Sequence, residues 1–376
     1  MTHQIELEVI TPVHVGMGME KKLIRGLDFI YRDDEYHVLN PDRILGALDR
    51  KEIEMISNYL AAGNYTAFSS FVEKHTDLLK TGTRYSWHSS FGNAAEIRPL
   101  YSDGAGKHFL PGSAIKGVLR GILLTKLLQD KGGQMNDTEL MGRIENNLMR
   151  YLQVTDCYVD QTPGIYPVKV FSADLNGREK IGKWKDKNRY GHEVNFNSDK
   201  FVTYYEMLPD GENSHKTRGH FRINWGGNDF IRKHNHEKVP NLGKVFEHPS
   251  GIQHLFDAAR ENTKKHLERE IKYFENYQNR KLDESFFDEL NWLREQNEEQ
   301  SGTSCIIRIG ANVGWHSITG NWKFRDHIEA VENNRGNIVG GIEKAYKTRK
   351  LGFDHIDGDD YRFFLPGFVK LSLVKA

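Results

Sequence analysis

In the stretch Phe109-Leu110-Pro111-Gly112-Ser113-Ala114-Ile115-Lys116-Gly117-Val118-Leu119-Arg120 a tight turn breaks directly into a helix. Ile115, Val118, Leu119, Ile122 and Leu123 recur at helical spacing and mark the face that packs on a core. Lys116 and Arg120 stand at i and i+4 and share another face. Ser113 is expected to cap the first turn. The free amides of that turn, with the two cations beside it, would make a cradle for phosphate. The plain alternative is an ordinary capped helix with two solvated cations.

Before and after this block the chain reads as strands and helices in alternation. Ile5, Leu7 and Val9 alternate with Gln4, Glu6 and Glu8, the pattern of a half-buried strand. That strand runs into Thr11-Pro12-Val13-His14-Val15-Gly16-Met17-Gly18, and the basic segment Lys21-Lys22-Leu23-Ile24-Arg25-Gly26 follows. Asn40-Pro41-Asp42 opens a helix with proline in its first turn, and helical spacing continues to about Tyr59. Val154–Val159, Val168–Phe171, Phe201–Leu208 and Phe221–Trp225 read as strands, the last two as a hairpin closed around Pro209-Asp210-Gly211. Residues 176–199 read as a long polar loop. Between Gly251 and Gln300 two charged amphipathic helices are expected, with Leu267, Ile271 and Phe274 on one and Leu282, Phe286, Leu290 and Leu293 on the other. They are read as a solvated insertion, with a protein–protein face as the alternative. Strands return at Ser304–Ile309 and Val369–Leu373.

Composition narrows the function classes. Lys+Arg and Asp+Glu both number 52, so the formal net charge is zero and any basic surface must be local. Two cysteines, Cys157 and Cys305, are too few for a disulfide framework and fit a reducing cytoplasm. No run of apolar residues reaches membrane-spanning length, no secretory signal is visible, and no membrane partner is expected. The 376 residues allow roughly two or three domains.

Three glycine loops follow strands: Gly16-Met17-Gly18, the Pro111-Gly112 turn, and Gly310-Ala311-Asn312-Val313-Gly314. None is a dinucleotide fingerprint or a P-loop. Arg308, Lys323 and Arg325 supply cations near the third loop, and Trp315 and Trp322 supply aromatic faces; this mixture suits single-stranded nucleic acid. The carboxylates in Asp354-His355-Ile356-Asp357-Gly358-Asp359-Asp360-Tyr361 could hold a divalent cation, but Asp-Gly between apolar flanks reads as a hairpin turn. The histidines, seventeen in all, fall into no ligand spacing: His192, His215, His220 and the pair His234 and His236 read as surface residues. No metal or other cofactor is expected. His14 is a candidate general acid–base for RNA cleavage, and Asp28 a lone candidate carboxylate.

Together these loops resemble the RAMP superfamily of CRISPR effector proteins. The resemblance lies in the opening strand with residues 11–18, the Pro-Gly-Ser-x-x-Lys-Gly-x-x-Arg block, Val154-Thr155-Asp156-Cys157, Tyr204-Tyr205-Glu206-Met207-Leu208-Pro209, the Gly310–Gly314 loop and Leu365-Pro366-Gly367-Phe368-Val369-Lys370-Leu371. Within the superfamily the chain is most similar to the subunit that caps the guide RNA in type III-A (Csm) complexes. The resemblance implies an α+β fold of two ferredoxin-like, RRM-related domains, here 1–160 with a helical insertion near 41–80 and 161–376 with one near 251–300. It implies guide RNA, the complex's other backbone and small RAMP subunits, and target RNA as partners. It further implies RNA-backbone contacts at Gly16, Gly18, Gly112, Ser113, Lys116, Arg120, Gly310 and Gly314. Lys21, Lys22, Arg25 and Arg308 are added as cations beside the loops. Backbone RAMP subunits cut target RNA with an aspartate in a Gly-x-Asp loop. Gly26-Leu27-Asp28 sits at a similar place, but Phe29-Ile30-Tyr31-Arg32 departs from that loop, so no cleavage is assigned to Asp28. The expectation is a non-catalytic subunit capping the filament at the guide's 3′ end and supporting guide maturation and assembly. The alternatives are an endoribonuclease of guide precursor or target RNA, resting on His14, Asp28 or Asp357–Asp360, and a structural module without RNA contact.

Overall fold

The computed structural model describes residues 1–18, 21–131, 137–173, 181–186, 191–211, 216–314, 330–332, 338–340 and 348–374. The expectations on His215, Trp315, Trp322, Lys323 and Arg325 lie outside the described residues.

The opening strand, Thr2–Val9, is central to a seven-stranded sheet. Arg218–Trp225 pairs with one of its edges and Phe368–Leu373 with the other, both antiparallel. Ile5, Leu7 and Val9 are buried as the alternation requires, with Ile5 opposite Phe221 and Leu373. Helix Gly112–Asp130 lays Ile115, Leu119, Ile122, Leu123 and Leu127 on the same core. Each of these buried aliphatic side chains contributes about 2 kcal/mol. In chain order Thr2–Val9, this helix, the short strands Leu152–Val154 and Cys157–Val159, then Arg218–Trp225, helix Gln253–Asn276 and Phe368–Leu373 form a β-α-β-β-α-β unit. The strands lie in the spatial order fourth, first, third, second, which is the ferredoxin-like arrangement. Ser304–Arg308 and Phe109–Leu110 extend its two edges.

A second, eight-stranded sheet centres on Gly164–Ala173. Thr203–Met207 and Gly182–Lys185 pair with it, as does Thr348–Asp357, and Glu96–Arg98 joins Thr203–Met207 in parallel. A three-stranded sheet of Phe29–Arg32, Glu35–Leu39 and Thr83–His88 packs with helices Pro41–Gly46, Arg50–Ala61, Tyr65–Lys74 and Thr76–Gly82 around a small core of Ile30, Ile44, Ile56, Phe68 and Val72. Asn40 caps the first of these helices by accepting from the Arg43 amide, with Pro41 in the first turn. The fold is α+β. Both large sheets draw strands from either side of residue 160, so main-chain hydrogen bonds cross the boundary expected there.

Two expectations are corrected. Thr203–Met207 and Arg218–Trp225 do not form a hairpin: the first belongs to the second sheet and the second to the ferredoxin-like sheet, because each alternating strand finds a larger apolar partner elsewhere. The helical region 251–300 is not a solvated insertion. Leu255, Phe256 and Ala259 of helix Gln253–Asn276 enter the first core, and Leu267, Ile271 and Phe274 enter the second, where helix Glu284–Glu298 adds Phe286, Leu290 and Leu293. Most charges of the shared helix lie on its outer face, while Glu270 is buried.

Candidate nucleic-acid interface

The first and third glycine loops and the closing Leu365–Phe368 turn meet at one seam. Thr11, fully buried, donates from Oγ1 to the Leu365 carbonyl (2.8 Å) and accepts from the Phe368 amide (3.0 Å). Gly367 donates to the Pro12 carbonyl, and Ala311 donates to the His14 carbonyl at 2.8 Å. Gly310 makes this approach possible. Its φ is +99°, and a Cβ there would stand 2.2 Å from the His14 oxygen. The other side of the first loop is stitched to the second sheet by Val13 and Leu208, and to the chain before the Pro-Gly helix by Val15 and Tyr101. The amide of Ala311 is therefore consumed within the fold. Among the described residues nothing lies within 4 Å of the Cβ positions of Gly18 and Gly314.

The helix start is built differently from the expectation. The helix begins at Gly112, and Ser113 is exposed and makes no side-chain cap. The cap comes from afar: Asp156 Oδ1 accepts from the Gly112 amide at 2.7 Å. The break between Leu152–Val154 and Cys157–Val159 puts Asp156 there, and a Cβ on Gly112 would lie 2.4 Å from the Val154 carbonyl. The chain's own carboxylate thus occupies the position a phosphate would take at the helix dipole. Asp156→Ala should lower stability by about 1–2 kcal/mol, as the loss of an N-terminal cap does, while Asp156→Asn keeps most of it. Urea midpoints that are equal for wild type and Asp156→Ala would show that this bond does not hold the turn.

The cations divide into paired and unpaired. Lys22 is paired with Glu96 at 2.5 Å, Arg25 donates to the Gly92 carbonyl, and Arg120 is paired with Asp137 at 3.3 Å. Lys21 is exposed. Lys116 is half-buried, and desolvation lowers its pKa; its side chain has no ion pair or hydrogen bond among the described residues. Arg308 is corrected outright. It is 6% exposed, donates to the Pro366 carbonyl and to His266, lies over the Phe368 ring, and cannot reach a ligand. Burial lowers its pKa to about 10 even so.

Neither catalytic candidate is free. His14 is 3% exposed, and its pKa falls to about 4, first through desolvation and then through the charges of Arg98 and Lys350. Its Nδ1 lies 2.7 Å from the Glu206 carbonyl, which can only accept, so the ring is the neutral Nδ1–H tautomer. Asp28 accepts from the Ile24 amide at 2.8 Å, closing its own turn, and burial raises its pKa. Asp357 and Asp360 pair across a hairpin whose turn glycine, Gly358, has φ +52°, as the turn reading expects. Among the described residues no group of three or more His, Cys, Asp or Glu side chains is placed to hold a metal. No helix among them is long and apolar enough to cross a membrane.

The structure adds two cations that the sequence did not single out. Arg98, on strand Glu96–Arg98, lies over the ring of its cross-strand neighbour Tyr205 at 5.8 Å. Lys350 lies close enough to Arg98 that, after desolvation, this like charge lowers its pKa. Neither side chain has a carboxylate partner among the described residues, and both act on His14 at the seam. Two uncompensated cations beside open glycine loops are what a phosphate chain requires. Neither lies in a motif; only the topology brings residues 14, 98, 205, 312 and 350 together.

No curated protein sequence matches the chain. It is similar to a chain in the cryo-EM structure of a Csm–crRNA–target RNA ternary complex of a type III-A CRISPR–Cas system, at 17% identity and TM-score 0.61, over 99% of this chain and 100% of that one. It is also similar to the crystal structure of Csm5 from T. onnurineus, at 15% identity and TM-score 0.55, over 81% of this chain and 89% of that one. The sequence profile of the RAMP superfamily matches residues 6–315, and on this match, with the fold to support it, the chain belongs to the RAMP superfamily.

Proposed function

We propose that this protein is an RNA-binding subunit of a type III-A CRISPR effector complex, capping the filament at the 3′ end of the guide RNA. The observation that carries the RNA contact is the seam with Arg98 and Lys350 beside it: cations without a carboxylate partner among the described residues, in a protein of zero net charge. Similarity along the full length to a chain solved within a Csm–crRNA–target RNA complex supports guide RNA, target RNA and neighbouring Csm subunits as partners. Similarity to the crystal structure of a Csm5 supports a place among the Csm subunits, and the capping position follows from the resemblance of the motifs. Against the endoribonuclease alternative, His14 is neutral and enclosed, Asp28 is bound to its own turn, and Asp357 and Asp360 pair across a hairpin.

Two measurements test this reading. Native mass spectrometry of the tagged chain drawn from its host should find an assembly with other RAMP subunits and a short RNA; a lone chain free of RNA would sink the assembly role. Binding of single-stranded RNA across a salt series should show a steep negative slope. Arg98→Ala with Lys350→Ala should flatten the log–log slope by about 1.4, or 0.7 for each lost phosphate contact. Lys116→Ala should remove a further ~0.7 if the Pro-Gly helix also meets the RNA. Slopes that stay parallel to wild type would place the phosphates elsewhere.

A further inference from the structure

Arg98 faces two features. Besides acting on the seam, it lines an open cavity of about 330 Å³ beside the paired strands Glu96–Arg98 and Thr203–Met207, with Lys22, Glu96, Asp199 and Phe201 around it. That volume is at the small end for ligand sites and suits one nucleotide. Phe201 is the unusual member. It is a bulky aromatic held at φ +54°, where side chains larger than glycine's are rare, and it remains 51% exposed. Such strain gathers where a ligand is held. Lys185 lies 5.7 Å from the ring centroid, and the ring lines the cavity. Two carboxylates have acceptor capacity left there. Asp199 Oδ1 takes the Asn93 amide and Glu96 Oε2 takes Lys22, while the second oxygen of each has no hydrogen bond among the described residues. Carboxylates only accept, so they select a ligand edge that donates.

We propose that this cavity takes one unstacked nucleotide of the bound RNA, its base against Phe201, its N–H edge toward Asp199 and Glu96, and its phosphate toward Arg98. Guanine, which presents adjacent ring N–H and amino donors, fits this edge best. The proposal rests on the RNA reading above and names where one base leaves the stack. Aromatic stacking with hydrogen bonds to a splayed-out base is the usual way proteins hold single-stranded RNA.

The test uses the full chain and short single-stranded RNAs carrying 2-aminopurine at one position each. With wild type, one position should change fluorescence on binding. Phe201→Leu, a substitution at an exposed side chain, should abolish that change and weaken RNA binding roughly tenfold, as losing one stacked base does. Asp199→Asn should weaken a guanine-bearing RNA more than one bearing uracil there. RNA that binds with no responsive position, or with a response unchanged in Phe201→Leu, overturns the cavity and leaves the RNA reading standing. If wild type binds no RNA, the RNA reading fails instead, and free GMP, AMP, CMP and UMP decide the cavity. GMP binding lost in Phe201→Leu would keep it as a nucleotide site; binding of none of the four would overturn it.

Discussion

Replacing Glu270 with alanine is expected to destabilise this protein by about 3–5 kcal/mol, the effect of removing one partner from a buried ion pair. Glu270 is 1% exposed, on the helix that the two cores share. Arg349, from the second sheet, donates to it from Nε at 2.5 Å and lies 3.9 Å over the Tyr273 ring. Arg308, from the first sheet, stands behind it with His266. Thr263, one turn earlier, donates to the Ile306 carbonyl at 2.7 Å. One helix face thus carries a polar staple to each sheet. Without Glu270, two guanidinium groups less than a tenth exposed are left facing each other. Domains of this kind have total stabilities of about 5–15 kcal/mol, so the loss takes a large share. Urea unfolding reads it directly. An alanine variant with the wild-type midpoint would mean that the staple adds nothing. Arg349→Met in the same chain should restore part of the loss, because a packed apolar side chain removes one of the two facing charges.

The same group sets a pH dependence. Burial alone would raise the pKa of Glu270, but Arg349, with His266 and Arg308, outweighs it and holds the carboxyl at about 2, against an ordinary value of 4.5. A depressed pKa gives stability that is present above the unfolded value and lost as pH falls toward the folded one. The contribution, about 3 kcal/mol, should therefore fade between about pH 5 and pH 2. Other buried carboxyls act in the opposite sense: burial raises Asp354 to about 6 and raises Glu206 as well, so each favours the folded state at lower pH. The difference between wild type and Glu270→Gln removes those shared contributions. That difference should shrink toward zero as pH falls through the window, and a difference constant from pH 6 to pH 2 would contradict the assignment.

What the sequence made legible follows from local physics. The alternation at Ile5, Leu7 and Val9, the Asn40-Pro41 helix start, the Asp357–Asp360 hairpin and the apolar face after Pro111 each depend on a few neighbouring residues, and each stands in the structure. Gly112 and Gly310 are legible for the same reason, since close backbone approach leaves no room for a side chain there. What failed depends on distance along the chain. Ser113 is the nearest capping residue to the Pro-Gly turn, yet Asp156, 44 residues away, caps it. Arg308 carries a charge beside a loop, yet the carbonyl of Pro366 and the ring of Phe368 enclose it. Arg98 and Lys350 look like ordinary charges until strand pairing brings them together. The Tyr204-Tyr205-Glu206 block was visible as a feature but not as a structural tie: Glu206 accepts from the Tyr85 hydroxyl and the Leu100 amide, joining the insertion's sheet to the body.

Gly310→Val should be the most damaging substitution at the seam itself. Two independent terms oppose it. The residue holds φ +99°, where a β-branched side chain is strained by about 1–3 kcal/mol. Its Cβ would also fall 2.2 Å from the His14 carbonyl oxygen and 3.0 Å from the carbonyl carbon, backbone atoms that no rotamer change can move. Relief requires the third loop to withdraw from the first, which breaks the bond from the Ala311 amide to His14 and leaves that carbonyl unpaired; overpacking of this kind costs about 1–3 kcal/mol more. A total of about 2–6 kcal/mol follows if the loops stay together, and less if they part. The second outcome distinguishes structure from function. If the seam is the RNA interface, a folded Gly310→Val protein with separated loops loses RNA affinity far beyond its loss of stability, because the phosphate path past Gly314, Arg98 and Lys350 no longer lines up. Gly63→Ala, after helix Arg50–Ala61, is the control, since its φ is +66° and nothing among the described residues lies within 4 Å of its Cβ position. RNA binding equal to wild type in folded Gly310→Val would remove the seam from the interface.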